Sequence, residues 1–334
     1  MTRYAEIIGV GSYLPDRRLT NSDLEHMVDT SDDWIVSRTG IRERRIVADG
    51  QATSHLATEA AARALSDSGV APAAVDLLIV GTSTPDMLMP STACLVQARL
   101  GMTCAAFDVN AACTGFVYAL SAGVSAIESG RAKIVLVVGA DALTRFVDFT
   151  DRGTCVLFGD GAGAVVLSAG DDPGVLGIVL GADGEGADLL TIPAGGSAAP
   201  ATCERVEAHE TTIQMNGNEV FKFAVRAIPA VTNEALAASG LSVDDLSWLV
   251  PHQANQRIIS TIAERLGIPE SRVFSNVEGT GNTSAASIPL ALDDMYTCGH
   301  LAPGDVVALV GFGAGLTWGA AIVRWTKASP NKEA

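Results

Sequence analysis

The sequence predicts an α/β protein in which helices cover both faces of the sheets, and two observations carry this prediction. Apolar residues make up 48% of the 334 residues, charged residues 18% and aromatic residues 5%. This composition is typical of a globular protein with a large aliphatic core. Continuous apolar segments, which predict buried strands, alternate with segments that predict helices, and such strands belong to sheets covered on both faces.

The second observation is a weak internal duplication, because both halves show the same series of strand, helix, strand, turn and helix. In the first half the series occupies 75–80, a helix ending at 100–101, 105–109, the turn with Cys113 and 115–129. In the second half it occupies 246–250, about 253–267, 273–275, the turn with Asn282 and the apolar segment after it. We therefore expect Cys113 and Asn282 at equivalent strand–helix turns, unless the two series resemble each other by chance.

A further pair of segments extends the duplication. The strand predicted at 133–139 corresponds to the one at 305–311, and final apolar strands follow at 163–167 and 319–325. Turn-forming residues, Ala-Gly-Asp-Asp-Pro-Gly, separate the two series. We predict an N-terminal half at 1–172, which carries the cysteine turn, and a C-terminal half at 173–334, which carries the histidine and the asparagine.

Charge and cysteine spacing exclude several classes of protein. The net charge of −16 predicts a surface that repels nucleic acid and anionic lipid, so an acidic partner needs a local basic patch. No apolar run approaches the roughly 20 residues that span a bilayer, and the first apolar stretch is too short for a signal peptide. The six cysteines contain no Cys-x-x-Cys pair, which argues against zinc and disulfides and predicts a cytoplasmic protein without a metal.

Cys113 is the candidate nucleophile. It lies in Asp108-Val-Asn-Ala-Ala-Cys-Thr-Gly-Phe116, where an apolar strand enters a turn of small residues and a helix begins. A helix N-terminus favours the thiolate, so we expect this position to lower the pKa of the Cys113 thiol. A buried core cysteine fits the same context equally well. The other five cysteines have no comparable setting.

His252 and Asn282 are candidate partners of this cysteine. His252 lies in Val-Pro-His-Gln-Ala-Asn255, directly after a predicted buried strand, where α/β proteins bind their ligands. Asn282 lies in Glu278-Gly-Thr-Gly-Asn-Thr-Ser-Ala-Ala-Ser287, in which a tight turn can project one side chain. Taken alone, each is also compatible with a structural role, a loop cap for His252 and a helix-capping turn for Asn282.

A glycine-rich segment near the C-terminus, Gly311-Phe-Gly-Ala-Gly-Leu-Thr-Trp318, follows a predicted strand. Its glycine spacing differs from Gly-x-Gly-x-x-Gly and no helix pattern follows promptly, which disfavours a dinucleotide-binding dehydrogenase. Backbone amides that stabilise an oxyanion fit the segment better.

Taken together, these motifs resemble the type III β-ketoacyl-acyl carrier protein synthases of the thiolase superfamily. The resemblance includes Asn-Ala-Ala-Cys-Thr-Gly-Phe, Pro-His-Gln-Ala-Asn, Gly-Asn-Thr-Ser-Ala-Ala-Ser and Gly-Phe-Gly-Ala-Gly-Leu-Thr-Trp-Gly. It also includes the segment 30–45, Asp151-Arg-Gly-Thr and Phe158-Gly-Asp-Gly-Ala-Gly163. Each motif is weak alone, but the set occurs in the family's order and covers essentially the whole chain.

The resemblance implies a thiolase-like α-β-α-β-α sandwich of two duplicated halves and a homodimer. It implies that Cys113 takes an acyl group from acyl-CoA, with acetyl-CoA the expected starter, and that malonyl-acyl carrier protein then loses carbon dioxide. His252 and Asn282 would stabilise the resulting enolate, and the backbone amides of Cys113 and Ala314 would bind the oxyanion. The product would be a 3-ketoacyl-acyl carrier protein that initiates fatty acid biosynthesis, and no cofactor is required.

The same resemblance implies binding roles for further residues. It assigns CoA binding to Trp34, Arg152, Asn218 and Asn255. It assigns carrier-protein docking to Arg38, Lys222, Arg226 and Arg257. It assigns the acyl pocket to Met89 and Phe312.

Two alternatives stay open at this point. One is a related condensing enzyme or acyltransferase of secondary metabolism with a non-acetyl starter. The other, from a different class, is a noncatalytic carrier-binding subunit, although such a protein has no need of Cys113 and its two partners. A thiolase is disfavoured because position 282 is an asparagine and not a second cysteine. A hydroxymethylglutaryl-CoA-type synthase is disfavoured because it requires a catalytic glutamate, and no glutamate of this sequence is assigned to that role.

Overall fold

The computed structural model describes residues 3–328, whose strands form a five-stranded sheet, a four-stranded sheet and two short ribbons. In chain order the strands are β1 (Tyr4–Tyr13), β2 (Arg17–Thr20), β3 (Glu43–Ile46), β4 (Leu77–Gly81), β5 (Ala105–Val109), β6 (Ile134–Ala142), β7 (Asp160–Gly170), β8 (Val175–Ala182), β9 (Leu190–Thr191), β10 (Gln214–Met215), β11 (Trp248–Pro251), β12 (Val306–Gly313) and β13 (Thr317–Arg324).

The α-helices alternate with these strands. In chain order they are α1 (Asn21–Glu25), α2 (Asp32–Thr39), α3 (Thr53–Ser68), α4 (Thr92–Arg99), α5 (Gly115–Glu128), α6 (Arg152–Cys155), α7 (Cys203–Glu207), α8 (Gly217–Ala238), α9 (Gln256–Leu266), α10 (Val277–Thr280) and α11 (Ser287–Thr297).

The two large sheets repeat one topology. The five-stranded sheet has the order β1-β7-β6-β4-β5, in which β4 pairs in parallel with β5 and β6, whereas β7 pairs antiparallel with β1 and β6. The four-stranded sheet has the order β8-β13-β12-β11, in which β12 and β11 are parallel and the other pairs are antiparallel. Strand by strand, the second sheet therefore matches the first four strands of the first.

Helices α5 and α11 lie between the two sheets, and the side-chain alternation of the strands explains why. In β6, Val135 and Val137 pack in one cluster with Phe116 of α5 and Ile288 of α11. Leu136, from the opposite face of β6, packs against α3 and α4. The second sheet likewise divides its faces between the central helices and the outer helices α8 and α9. Because successive strand residues point to opposite faces, the result is the predicted α-β-α-β-α sandwich.

The structure corrects two details of the predicted second series. The segment expected as a strand at 273–275 makes a single parallel bridge, between Val273 and Leu249, and is not a strand. Helix α9 begins at Gln256 rather than near residue 253, because the Asn255 side chain accepts a hydrogen bond from the Arg257 amide and caps the helix.

The division into halves at residues 172 and 173 stays a prediction. The turn between β7 and β8 falls there, and all strands of the first large sheet precede it while all strands of the second follow it. The outermost residues of the predicted halves, 1–2 and 329–334, lie outside the described residues. Within residues 3–328, no helix has both the length and the apolar character needed to span a bilayer.

The close fit of the central layer gives a testable consequence. A Cβ at Gly139 would lie 2.2 Å from the Ala285 carbonyl oxygen, whereas a Cβ at Gly184 would meet nothing within 4 Å. We expect Gly139→Ala to lower the free energy of unfolding by about 1–3 kcal/mol, as overpacking does, and Gly184→Ala to leave it nearly unchanged. Urea unfolding of the two variants beside the wild type checks this; equal midpoints would contradict the packing described.

Candidate active site

The three candidate catalytic residues line one cavity of about 410 Å³. Cys113 follows β5 and precedes α5, His252 follows β11, and Asn282 precedes α11. The cavity therefore lies where strand ends of both large sheets meet the beginnings of the two central helices. Five of the residues predicted to bind CoA or the carrier protein also line this cavity: Trp34, Arg38, Asn218, Asn255 and Arg257.

Cys113 sits in a single turn of 3₁₀ helix, Ala112–Thr114, directly before α5. The turn begins with Ala112 at a positive φ of 47°, a conformation that non-glycine residues seldom adopt. The Cys113 residue is 7% exposed. The sharp turn thus presents the thiol at the cavity wall while protein surrounds the rest of the residue.

The structure overturns the expectation of a low thiol pKa. The pKa of the Cys113 thiol is raised to about 12, chiefly by burial; hydrogen bonding with Ser284 lowers it, and the nearby negative charge of Asp141 contributes to the rise. The desolvation of a buried anion outweighs the favourable position before a helix. Cys113 is therefore a neutral thiol near pH 7.

His252 is also neutral. It is 2% exposed, and burial lowers its pKa to about 3. Its Nδ1 lies 2.6 Å from the Ser287 hydroxyl oxygen, which accepts a hydrogen bond from the Gln253 amide at 3.3 Å. The Ser287 hydroxyl can accept from this amide and donate its own proton to Nδ1, and in that arrangement Nε2 carries the ring proton. The imidazole can then act as an uncharged donor through Nε2.

Asn282 is held by main-chain and side-chain bonds. Its backbone forms a parallel bridge with Phe158, in which the Asn282 amide donates to the Leu157 carbonyl at 2.9 Å and the Gly159 amide donates to the Asn282 carbonyl at 3.0 Å. The side-chain oxygen accepts a hydrogen bond from the Ser284 amide at 2.9 Å. Since its oxygen is engaged in the turn, the side-chain NH₂ is the group that Asn282 offers to the cavity.

The turns before α5 and α11 have the same geometry, as the duplication predicts, but the reactive side chains occupy different places in them. Asn110 accepts from the Ala112 amide at 3.3 Å, as Asn282 does from the Ser284 amide. Ser284, like Ala112, has a positive φ, of 51°. Asn282 therefore matches Asn110, and the residue that matches Cys113 in the second turn is Ala285.

The duplication is broken where each turn meets the opposite sheet. In the first half, Asp141 at the end of β6 accepts a hydrogen bond from the Ala285 amide at 3.1 Å. The matching position of β12 is Gly313, where an added Cβ would lie 2.7 Å from the Cys113 nitrogen. The missing side chain lets the Gly313 backbone lie close against the Cys113 amide, which is the group predicted to bind an oxyanion.

A second cavity of about 250 Å³ is also lined by Cys113. Ala314, predicted for the oxyanion site, lines this cavity together with Ala112, Ser284 and a set of mostly apolar side chains, Leu143, Phe158, Leu190, Ile192 and Ile213. Phe312, predicted for the acyl pocket, lines the larger cavity instead and packs edge-on against His252 at a centroid distance of 5.4 Å. Met89, also predicted for the acyl pocket, is 82% exposed and lines neither cavity.

Trp34 is a half-buried residue of the larger cavity's lining. The guanidinium carbons of Arg38 and Arg152 lie 5.2 Å and 4.8 Å from the centre of its ring. Arg152 also donates to the Asp29 carbonyl at 2.9 Å, which fixes its position. The two arginines predicted for different ligands therefore both contact the same aromatic ring.

Asn255 and the predicted docking residues lie around the mouth of the cavity in different settings. Asn255 caps α9 and donates to the Arg38 carbonyl at 3.1 Å. Arg257 lies over the Phe221 ring at 5.9 Å. Lys222 pairs with Glu219 at 2.7 Å on the exposed side of α8. Arg226 is exposed one turn further along α8, and neither it nor Lys222 lines the cavity.

Three further polar residues near the site, Asp141, Ser284 and Ser287, were not predicted from the sequence. The two serines lie inside the motif that contains Asn282, where they were read only as small residues of a tight turn. Asp141 is the charged residue at the end of the otherwise apolar strand β6 and is fully buried. A carboxylate in a buried strand is unfavourable without hydrogen-bonding partners. An aspartate in this apolar strand was therefore the signal in the sequence that could have identified Asp141.

Comparison with known proteins places this geometry in a family. A family model described as 3-oxoacyl-[acyl-carrier-protein] synthase III matches residues 107–184, and one described as the C terminal of the same synthase matches residues 236–325. The β-ketoacyl-[acyl-carrier-protein] synthase III of Xanthomonas campestris pv. campestris is 54% identical over 96% of this chain and 98% of that protein. The chain belongs to the 3-oxoacyl-[acyl-carrier-protein] synthase III family.

Other members of the synthase III family support the fold as well. The enzyme of that name from Caldanaerobacter subterraneus subsp. tengcongensis is 51% identical over 97% of this chain and 98% of that protein. The crystal structure of 3-oxoacyl-(acyl carrier protein) synthase III from Pseudomonas aeruginosa PAO1 superposes with a TM-score of 0.91 at 44% identity, covering 98% of this chain and all of that one. The thiolase-like sandwich is confirmed.

The high thiol pKa of this synthase predicts how Cys113 reacts with alkylating agents. With a pKa of about 12, the thiolate fraction rises tenfold per pH unit throughout the range from pH 7 to 9. We expect the rate of Cys113 alkylation by iodoacetamide to rise by the same factor, followed by peptide mass spectrometry with Cys113→Ala as the blank. A rate that levels off near pH 7 would mean that the thiolate is already formed.

Proposed function

We propose that this synthase catalyses the decarboxylative Claisen condensation of an acyl-CoA starter with malonyl-acyl carrier protein. The product is a 3-ketoacyl-acyl carrier protein, and the reaction initiates fatty acid biosynthesis. The observation that carries the proposal is the convergence of Cys113, His252 and Asn282 on one cavity. The family membership supports it, because the relatives are named for this synthase activity.

In the first half-reaction Cys113 attacks the thioester of acyl-CoA and becomes acylated, and CoA leaves. The carbonyl oxygen acquires negative charge in the tetrahedral intermediate. We assign its stabilisation to the backbone amides of Cys113 and Ala314. The absence of a side chain at Gly313 supports this assignment, since a Cβ there would lie 2.7 Å from the Cys113 nitrogen and would obstruct the space the oxygen needs.

In the second half-reaction malonyl-carrier loses carbon dioxide, and the enolate carbon attacks the Cys113 thioester. The malonyl carboxylate and the enolate are both anions, so the site needs donors without a competing carboxylate in the cavity. We assign this task to His252 Nε2 and the Asn282 amide. The buried neutral imidazole and the engaged Asn282 oxygen support the assignment, because each leaves an N–H donor directed to the cavity.

The rest of the larger cavity suits an extended CoA ligand. We propose that the adenine stacks in the region of Trp34 and Arg152 and that Asn218 and Asn255 contact the pantetheine arm. The arginine contacts on the Trp34 ring support an aromatic and cationic adenine site. The proposed reaction needs acyl-CoA and malonyl-carrier as substrates and no cofactor.

We propose the second cavity as the acyl pocket. It lies directly beside Cys113 and its lining is mostly apolar, as an acyl chain requires. Acetyl-CoA is the starter that we propose, and the volume of about 250 Å³ also has room for a longer chain. Of the two residues predicted for this pocket, Phe312 belongs to the larger cavity and Met89 to the surface, so we assign neither to it.

For the carrier protein we propose a docking patch formed by Arg38, Lys222, Arg226 and Arg257. Two of these, Arg38 and Arg257, line the mouth of the larger cavity, where a carrier must deliver its malonyl group. Lys222 and Arg226 extend the positive charge along α8. Such a local patch lets an acidic carrier approach a chain whose net charge is −16.

We further propose that the synthase is a homodimer assembled through the edge of the five-stranded sheet. Strand β5 is the outer strand of that sheet, and Phe107 in it is 41% exposed. Met87, Leu88 and Met89 are 48%, 84% and 82% exposed. An uncovered apolar edge strand favours pairing with a second copy about a twofold axis. The cytoplasmic location stays a prediction.

The mechanism separates the roles of Cys113 and Asn282. We expect wild-type protein incubated with a panel of acyl-CoAs to gain the mass of one acyl group, and Cys113→Ala to gain none. Asn282→Ala should still be acylated but should condense with malonyl-carrier about 100-fold more slowly, because it lacks a donor to the enolate. Intact-protein mass and product formation measure the two steps. Condensation at the wild-type rate in Asn282→Ala would refute the assignment.

The docking patch predicts an effect confined to the second substrate. Charge reversal in Lys222→Glu or Arg226→Glu should lower kcat/KM for malonyl-carrier about tenfold at low salt and less at high salt. Acylation by acyl-CoA should be unchanged. Arg131→Glu is the matched control, since Arg131 precedes β6 at the end opposite to the site. An equal loss in Arg131→Glu would show a general charge effect instead of docking.

A further inference from the structure

The His252 ring has a buried hydrogen-bonding partner to which the proposed mechanism gives no role. Its Nδ1 lies 2.6 Å from the Ser287 hydroxyl oxygen, and Ser287, the first residue of α11, is 1% exposed. A neutral imidazole carries one proton, on either Nδ1 or Nε2, and only the second form donates from Nε2. The group that contacts Nδ1 therefore decides what the other nitrogen can do.

The donors and acceptors around the Ser287 hydroxyl distinguish the two forms. Across residues 3–328, its hydrogen-bonding contacts are with the Gln253 amide, which donates to it at 3.3 Å, and with His252 Nδ1. If Nδ1 carried the ring proton, both contacts would be donors to the oxygen, and the buried hydroxyl proton would have no acceptor, which is unfavourable. With the ring proton on Nε2, Nδ1 accepts the hydroxyl proton and both contacts are satisfied.

Gln253 stabilises the turn that supplies this amide. Its side chain is fully buried. The side-chain Nε2 donates to the Pro251 carbonyl at 2.6 Å and to the Phe274 carbonyl at 3.3 Å, and Oε1 accepts from the Asn276 amide at 3.0 Å. These bonds join the turn after β11 to the neighbouring segment 274–276. The Gln253 amide is thereby held where it donates to Ser287.

We propose that Ser287 is a positioning residue for the condensation step, because its hydroxyl donates to His252 Nδ1 and so keeps the ring proton on Nε2. This inference rests on the proposed role of His252 as a donor to the enolate. Ser287 lines neither of the two cavities and acts on the substrate only through the imidazole.

The charge of the substrate explains why one tautomer is required. Burial lowers the pKa of His252 to about 3, so the ring is neutral near pH 7 and cannot carry a proton on both nitrogens. With the proton on Nδ1, Nε2 would direct a lone pair at the malonyl carboxylate and at the enolate oxygen, and would repel both. With the proton on Nε2, the same nitrogen donates to them. The acylation of Cys113 does not use this donor, so the effect is confined to the second half-reaction.

The tautomer can be measured directly. A long-range proton–nitrogen correlation spectrum of protein with isotope-labelled histidines distinguishes the protonated from the unprotonated nitrogen of each of the five rings. The spectrum of His252→Asn identifies the signals of His252 by their absence. We expect the wild type to carry the proton on Nε2 of His252 alone, and Ser287→Ala to contain both tautomers. A wild-type His252 protonated on Nδ1 would overturn the proposal.

The rates of the two half-reactions separate positioning from general stability. In Ser287→Ala, condensation with malonyl-carrier should slow about tenfold, while acylation by the acyl-CoA that loads best should stay within about twofold of the wild type. Ser287→Thr keeps the hydroxyl and should restore both the Nε2 tautomer and most of the condensation rate. Thr232→Val is the matched control, since it removes a buried hydroxyl on α8 that donates to the Ile228 carbonyl at 2.7 Å; it should change neither step.

The remaining outcomes each have a distinct meaning. Condensation at the wild-type rate in Ser287→Ala would contradict the positioning role, and so would an equal slowing of acylation and condensation. If Ser287→Ala does not fold, the tautomer of the wild type and the rates of Ser287→Thr decide the question. A wild type that is not acylated, or that is acylated but does not condense, would refute the proposed function, and the spectrum would still report the tautomer of His252.

Discussion

The site depends on main-chain contacts between the two halves that leave no room for a side chain. Gly139 of the first sheet lies against the Ala285 carbonyl of the second turn, and Gly313 of the second sheet lies against the Cys113 amide of the first. Each turn is therefore held by a strand of the opposite sheet. The distance between the nucleophile and Asn282 is fixed by backbone packing, which is stiffer than any contact between long side chains.

Burial is the second constraint, and it sets the charge state of the site. The same desolvation that raises the pKa of Cys113 lowers that of His252, so the resting site holds an uncharged nucleophile and an uncharged donor. Negative charge enters with the substrate and meets preorganised N–H groups instead of water. Asp141 is subject to the same constraint: hydroxyls and amides bond to its carboxyl group and lower its pKa, but burial outweighs them and raises that pKa above the usual range.

Much of the fold could be predicted from the sequence, because the spacing of apolar residues and the residue types that favour turns are local features of the chain. The strands at 105–109 and 133–139, the helix after Cys113 and the equivalence of the two turns followed from such patterns. The thiol pKa was predicted in the wrong direction, since desolvation depends on what the rest of the chain packs around Cys113. Ser284 and Asp141 were missed for the same reason: they are 143 residues apart in the sequence and meet only when the two halves stack. The segment 273–275 was also wrongly predicted to be a strand. An apolar segment forms a strand only where a neighbouring strand runs beside it, and the sequence alone does not show which segments lie side by side.

The second cavity has walls of two kinds, and the difference bears on how such an enzyme can change over evolution. Ala112, Cys113 and Ser284 come from the central turns, where any shift would disturb the chemistry. Leu190, Thr191 and Ile213 come from the small ribbon β9–β10 and its approach, outside the five layers. Leu190 and Thr191 are half-buried, so substitutions there can reshape the cavity without disturbing the central turns, whereas Ile213 belongs to a buried cluster. Starter preference can therefore drift between lineages while the catalytic apparatus stays constant.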